Sequence, residues 1–276
     1  MSKISIDTLR SRGYHQGERQ DTHCMKILSL NIEGSKHLTR WIPFVKKHAP
    51  DVLCLQEVFA RDLDEIAGDL SMKYEFMPTM RVAADFDPKS TSIEDWGIAM
   101  FYHELPVDVE LLYYTQDISR DGEVPVWTGE VGDIWKQAVI LATWSSGITV
   151  ANTHLAWTAN GQSTEYQRTY AKDLLKALEQ KEHIVLCGDL NAPRGGETWN
   201  IFAHHYVDNI PSFVETTIDQ NLHKVRGLQY VVDGLFSSPT LRFSDVGVVD
   251  GLSDHMAVLA TLTYPMHMLG HSPHKK

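Results

Sequence analysis

The run Ile184-Val-Leu-Cys-Gly-Asp-Leu-Asn-Ala-Pro-Arg194 constrains the chain most. Four consecutive apolar residues, Ile184 to Cys187, suit a strand covered on both faces, and such a strand needs a layer on either side. Gly188 permits a tight turn, and Pro193 stops the strand. Asp189 and Asn191 stand two apart, so the strand's end carries them on one face. A carboxylate and an amide side by side on a rigid base suit general-base chemistry. Asp189 takes a proton from water, and Asn191 fixes the geometry of what is attacked. A plain turn is the competing reading, since Gly, Asp, Asn and Pro are all turn residues.

Similar apolar runs recur and end on polar residues. Met25 to Leu30 reads as a strand ending on Asn31 and Glu33, and Asp51 to Gln56 as one ending on Glu57. Between them Leu38, Trp41, Ile42 and Val45 recur at helical spacing, with Pro43 set to kink or delay the helix. Arg61 to Leu70 reads as a second helix, Lys73 to Met77 and Trp96 to Tyr102 as strands, and Asp85 to Asp95 as a polar loop. Val107 to Tyr114 reads as a strand, followed by a loop to about Asp133 that carries Trp127. Trp135 to Trp144 and Ile148 to Thr153 form a hairpin across Ser145-Ser146-Gly147. Ser163 to Gln180 is a helix that Ser163 or Thr164 caps, and Trp199 to Tyr206 a short one. Leu228 to Ser237, Leu241 to Val249 and Met256 to Tyr264 read as the last strands. Strands outnumber helices, which fits two packed sheets covered by helices. Strand–helix–strand units open both the first third and the region 148–187, so the organisation looks doubled.

With 276 residues and 43% apolar content, the chain has ample core for one large domain. The expected division is a poorly ordered arm over 1–24, a domain over 25–265 and a tail over 266–276. Cys24, Cys54 and Cys187 show no pairing pattern and no zinc spacing. No secretory signal and no long apolar span is evident, so the expectation is a cytoplasmic protein without a transmembrane segment. The net charge of −11 lacks the broad basic surface behind nonspecific nucleic-acid binding. A small phosphorylated substrate stays compatible with it, because a bound divalent cation reverses the local field.

The polar strand ends supply the candidates for chemistry: Asn31, Glu33, Glu57, His154, Asp189, Asn191, Asp233, Asp254 and His255. Each has an ordinary structural alternative, such as shaping a turn or capping a helix. Asp233 resists that alternative, because a carboxylate inside the apolar run Tyr230 to Phe236 is costly without a partner.

In order, LSLNIEG, DVLCLQEV, NTHLAW, GDLNAP, YVVDGLF and SDHMAV resemble the motif series of the endonuclease/exonuclease/phosphatase superfamily, and WGIAMFYH resembles a further shared strand. That superfamily includes pancreatic-type DNases, abasic-site endonucleases, inositol-polyphosphate phosphatases and neutral sphingomyelinases. The resemblance covers roughly residues 25–264. It implies an α/β (α+β) four-layer αββα sandwich, with two mixed, mainly antiparallel sheets flanked by helices and a site at one edge. It also implies metal-dependent hydrolysis of phosphate esters. Carried over by position, Glu57 is the principal metal ligand, Asn31 and Asp254 complete the site, and Glu33 helps a second ion. All-oxygen ligands suit Mg²⁺ or Mn²⁺, and no thiol or paired-His spacing favours zinc. By the same resemblance Asp189 activates water, Asn191 holds the phosphate, and His255, oriented by Asp233, donates to a nonbridging oxygen. His154 either orients the phosphate or protonates the leaving oxygen. An arginine that several relatives carry has no clear counterpart; Lys136 or Gln137 falls in the matching strand.

Three further residues are candidates for substrate binding: Asn152, two before His154; Trp157, close enough to stack on a base, sugar or headgroup; and Asp219, in the unusual segment Thr217-Ile-Asp-Gln-Asn-Leu-His223. An aromatic wall without recognition and a plain polar loop are the alternatives for the last two. The acidic charge favours a compact phosphorylated small molecule or lipid headgroup as substrate. A structure-selective DNA or RNA endonuclease and an inactive binding module are the rivals. The oligomeric state is open.

Overall fold

The computed structural model describes residues 22–83, 91–115, 123–127 and 135–265. In chain order the described strands are β1 (Thr22–Asn31), β2 (Val52–Phe59), β3 (Lys73–Ala83), β4 (Ile93–Tyr102), β5 (Asp108–Tyr113) and β6 (Ala138–Thr143). They continue with β7 (Ile148–His154), β8 (His183–Asp189), β9 (Val207–Asp208), β10 (Asp233–Ser237), β11 (Arg242–Val249) and β12 (Ala257–Pro265). The α-helices are α1 (Leu38–His48), α2 (Leu63–Leu70), α3 (Glu165–Leu178) and α4 (Glu197–Ala203). No helix among the described residues is long and apolar enough to cross a membrane.

Two six-stranded sheets form, in the orders β11-β12-β1-β2-β4-β3 and β5-β6-β7-β8-β10-β9. The doubling expected from sequence is real. Each sheet centres on one parallel pair, β1–β2 or β7–β8, and its other pairings are antiparallel. A helical crossover joins the members of each parallel pair, as such a connection requires. Alternation explains the continuous apolar runs. Met25, Ile27, Val52 and Cys54 join the core cluster that also holds Ile140, Val150, Ile184 and Leu186 of the other sheet. Leu28, Leu30, Leu53 and Leu55 join Trp41, Val45, Leu63 and Ile66 of α1 and α2. Tyr170, Leu174 and Leu178 of α3 and Trp199 and Phe202 of α4 cover the second sheet. The layers are therefore helix, sheet, sheet, helix. Thr164 caps α3, accepting from the Gln167 N–H at 3.3 Å, as one of the two expected caps.

Several boundaries differ from expectation. Thr22 to Cys24, assigned above to an arm, lengthen β1 because β12 supplies partners as far as Pro265. The rest of that arm, residues 1–21, and the tail 266–276 lie outside the described residues, as do 84–90, 116–122 and 128–134 of the expected loops. Ile93 to Asp95, read as loop, pair with Ala83 to Arg81 in an extension of β3–β4. Pro78 does not end β3; it sits at a register shift between Pro78 and Met80, where a missing N–H is tolerated. Pro43 lies inside α1 on its exposed side, where the carbonyl it leaves unpaired can meet water. Leu228 to Val232 are not strand, and β10 starts at Asp233.

Asn152 faces the gap between the sheets and is fully buried. Its Nδ2 donates to the carbonyls of Leu55 (3.0 Å) and Ala99 (2.8 Å), and its Oδ1 accepts from Gln56 Nε2 (2.7 Å). This corrects its expected substrate role: every donor and acceptor is engaged in stapling β7 to β2 and β4. Asn152→Ala takes the nearest acceptor from the buried Gln56 amide, leaving it the Ser29 hydroxyl and Cys54 carbonyl at 3.3 and 3.4 Å, and takes a donor from two carbonyls, so we expect a loss on the order of 3 kcal/mol. Urea unfolding measures it; a midpoint equal to that of the parent chain removes the staple's importance.

Candidate active site

Four strand ends meet at one rim of the sandwich. Asn31 ends β1, His154 ends β7, Asp189 ends β8 and Asp233 opens β10. His154 and Asp189 are register partners in the parallel pair, and so are Asp189 and Asp233 in the antiparallel one. Glu57 lies in β2 where the pairing with β4 shifts between Leu55 and Val58, and it has φ 62°. Such a bulge re-aims a side chain at a backbone cost of ~1–3 kcal/mol. Asn191 is likewise left-handed, with φ 47°.

Asp189 is the hub. Its Oδ1 accepts from the Asn191 N–H (2.8 Å) and its Oδ2 from Asn31 Nδ2 (3.1 Å). The same Oδ2 lies 3.4 Å from His154 Nε2 and 3.7 Å from His255 Nε2. Burial alone raises a carboxyl, but His255 and His154 outweigh it and hold Asp189 at about 2. His255 Nδ1 bonds Asp233 Oδ2 at 2.9 Å. Burial opposes a charged His255 ring, yet Asp233 and Asp189 hold its pKa well above the ordinary value. Burial pushes Asp233 up, with His255 opposing. The ligand-capable atoms of Asp189, Asp233 and His255 lie within 4.8 Å of one another, with the Asp233–His255 hydrogen bond on one side of the imidazole and the Asp189 carboxylate, 3.7 Å from Nε2, on the other.

His154 is 3% exposed. Its Nε2 faces Asn191 Nδ2 at 2.9 Å, its Nδ1 has no hydrogen-bond partner, and the Trp96 and Trp135 rings flank it at 5.8 and 5.7 Å. Burial opposes its charge, and Asp189 with Glu57 raises its pKa. Asn191 Nδ2 also donates to the Leu155 carbonyl (2.8 Å), so in this arrangement one N–H of the amide faces His154 and the other is held by Leu155.

Glu57 accepts from Asn31 Nδ2 at 3.0 Å. Burial pushes its carboxyl up; His154 opposes that and Asp254 adds to it. The half-buried Glu57 carboxylate, with the Asp254 charge near it and the Asn31 amide on it, makes an oxygen-rich position that a hard divalent cation fits. Asn31 presents nitrogen there, while its oxygen accepts from the Glu33 N–H (3.2 Å); ligation through that oxygen requires the amide to turn over. Glu33 does not turn its carboxylate to Glu57. Its oxygens pair with Lys36 and with His37 Nε2 (3.1 Å), which is a correction to its expected part in a second ion site.

Asp219 is also corrected. It is 1% exposed, with Oδ1 accepting from the Asn221 and Leu222 N–H groups (2.7 and 2.8 Å) and Oδ2 from Gly251 N–H (2.6 Å). It ties its segment to the loop carrying Asp254, to whose carbonyl its own N–H donates at 2.9 Å. Trp157 is 53% exposed, three residues past His154. Lys136 lies over the Tyr113 ring, and Gln137 Oε1 accepts from the Ala156 N–H (2.8 Å), which positions the stretch after His154. Sequence reasoning missed Thr217, whose Oγ1 accepts from the N–H groups of Val232 and Asp233 (3.0 and 3.1 Å) and fixes where Asp233 starts. Its segment drew notice for Asp219 instead, since nothing in a threonine's spacing announces such a bond.

A model of the Endonuclease/Exonuclease/phosphatase family matches residues 28–255. The chain belongs to that family. Members of the endonuclease/exonuclease/phosphatase family are hydrolases acting on phosphate esters. The DNA repair nuclease APEX1 of Danio rerio is 27% identical over 175 residues, covering 60% of this chain and 49% of that protein. The chain thus spans about half the length of the curated relative it matches. The human Nocturnin catalytic domain with bound sulfate aligns with a TM-score of 0.64 at 17% identity, over 88% of this chain and 96% of that one. A mannosyl-6-phosphatase of Bacteroides thetaiotaomicron VPI-5482 aligns at 0.58 and 16% identity, over 87% and 100%. At such identities these two likenesses show the shared sandwich alone.

Proposed function

We propose that this chain is a divalent-metal-dependent hydrolase that cleaves phosphate esters of a compact phosphorylated molecule by water attack on phosphorus. The observation that carries the proposal is the convergence of Asn31, His154 and His255 on one oxygen of Asp189, across both sheets. Asp189 orients the attacking water and takes its proton as the P–O bond to water forms. A carboxyl held at about 2 is a weak base while two imidazoles face it. It strengthens as the His255 cation gives its hydrogen bond to a nonbridging oxygen, because the charge that depresses Asp189 then moves toward the substrate. Asp233 keeps His255 oriented and charged. His154 orients the phosphate or protonates the leaving oxygen as the P–O ester bond breaks; the second needs a proton on Nε2, which the Asn191 amide allows once it turns its oxygen to that atom. Glu57 and Asp254, with Asn31 after its amide turns, would hold Mg²⁺ or Mn²⁺. Such an ion, when bound, supplies neutralisation of charge building on the phosphoryl oxygens.

A nuclease is the second reading, favoured by the 27% identity with a DNA repair nuclease and opposed by the net charge of −11. The inactive binding module is disfavoured because each assigned catalytic position is filled. Hydrolysis of bis-p-nitrophenyl phosphate should require Mg²⁺ or Mn²⁺, stop with a chelator and return with added metal. Undiminished turnover in chelator defeats the metal-dependent reading, and none under any metal defeats the enzyme. Comparing nicked, abasic and single-stranded DNA with phosphorylated sugars and headgroups separates the two readings. Efficient, salt-sensitive DNA cleavage decides for the nuclease.

A further inference from the structure

The segment Thr217 to His223 is fastened to the catalytic strand ends at every step. Thr217 holds Asp233 through Oγ1, and its carbonyl accepts from the Met256 N–H (2.7 Å). Ile218 forms an antiparallel bridge with His255. Asp219 binds the Gly251 and Asp254 backbone and closes the turn, with the His223 N–H returning to the Asp219 carbonyl at 3.1 Å. The outcome is a fixed, half-buried His223 whose ring lies edge-on to His255, centroids 6.5 Å apart at 72°.

The His223 ring is bound at one nitrogen only. Nδ1 accepts from the Val225 N–H at 3.1 Å, which leaves the ring proton on Nε2. Among the described residues Nε2 has no hydrogen-bond partner. Closure of the turn does not need an imidazole, since Asp219 already satisfies the Asn221 and Leu222 N–H groups. Lys224 and Arg226 follow in sequence and are exposed, with Arg226 Nη1 donating to the Gln220 carbonyl at 2.7 Å.

We propose that His223 is a substrate-contacting residue whose Nε2 hydrogen-bonds an oxygen one group beyond the phosphorus. This rests on the phosphate-ester reading above and names which substrates that site prefers: those with an acceptor oxygen past the scissile phosphate. A second phosphate and a sugar hydroxyl both supply it.

The two amides separate contact from turn closure. Asn places a polar atom near where Nδ1 stands, and Gln reaches toward Nε2. Binding of inorganic phosphate, inorganic pyrophosphate and glucose 6-phosphate to the full chain with Mg²⁺ is measured by calorimetry for the parent chain, His223→Asn and His223→Gln. His223→Asn should lower the affinity for pyrophosphate or for glucose 6-phosphate, relative to phosphate, by about tenfold, as loss of one hydrogen bond does. His223→Gln should restore most of that ratio. Loss with pyrophosphate identifies a second phosphate as the group contacted; loss with glucose 6-phosphate identifies a hydroxyl. Ratios unchanged in His223→Asn, or lowered equally in both variants, overturn the contact. If the parent chain binds none of the three, the phosphate-ester reading fails first. Binding of all three with unchanged ratios leaves that reading intact and removes only His223.

Discussion

Asp189→Asn is expected to lower kcat on bis-p-nitrophenyl phosphate by on the order of 10³-fold, with the fold intact. The substitution is isosteric and keeps an oxygen for the Asn191 N–H, which is the bond that shapes the turn. It removes the charge that three side chains converge upon, and with it the acceptor for water's proton. Loss of that charge also leaves His154 and His255 facing each other with less compensation, so their cationic forms become less favourable. Steady-state kinetics beside a circular dichroism melt checks both halves. Parental turnover would remove Asp189 from the centre of the chemistry.

Gly188→Ala should be the most damaging single-methyl change near the site. At Gly188 φ is 135°, and an added Cβ would stand 1.9 Å from the Thr153 carbonyl oxygen. The obstacle is the backbone of β7, so relief requires the β7–β8 pair to part, and that pair sets His154 against Asp189. We expect a loss on the order of 3 kcal/mol or more, equivalent to roughly 10 °C in Tm, with activity falling alongside. Gly68→Ala, in α2 with open space around the new methyl, is the contrast; it should be neutral or stabilising by up to ~1 kcal/mol. Similar melting of the two variants would show that the close approach at Gly188 yields easily.

The sandwich was legible because its inner strands carry their burial in sequence. Met25 to Leu30, Asp51 to Gln56 and Ile184 to Cys187 are apolar at successive positions, which only a doubly covered strand accommodates. Edges were less readable. Ile93-Glu94-Asp95 is polar because it extends a hairpin away from the core, and polarity there imitates a loop. Val231 and Val232 imitate a strand. Their carbonyls instead accept from Arg194 and Leu190 N–H groups, which hold the loop after β8. The hub residues could be picked out by type and position, whereas Asn152 and Asp219 could not be told from ligand-binding groups. An Asn or Asp engaged with distant backbone looks the same in sequence as one facing a substrate. Only the carbonyls of Leu55 and Ala99, and the N–H of Gly251, distinguish them.

The first sheet is closed by its most distant segments. Cys24 stands opposite Thr263, 239 positions along the chain, and β1 lies between β12 and β2. On the ribosome β1 emerges early and keeps one bare edge until β12 arrives, whereas the strands of the second sheet have all been made by then. Asp254 and His255 immediately precede β12. A nascent chain therefore carries Asp189 and His154 long before His255, and the proposed site is complete only when the last strand seals the sheet.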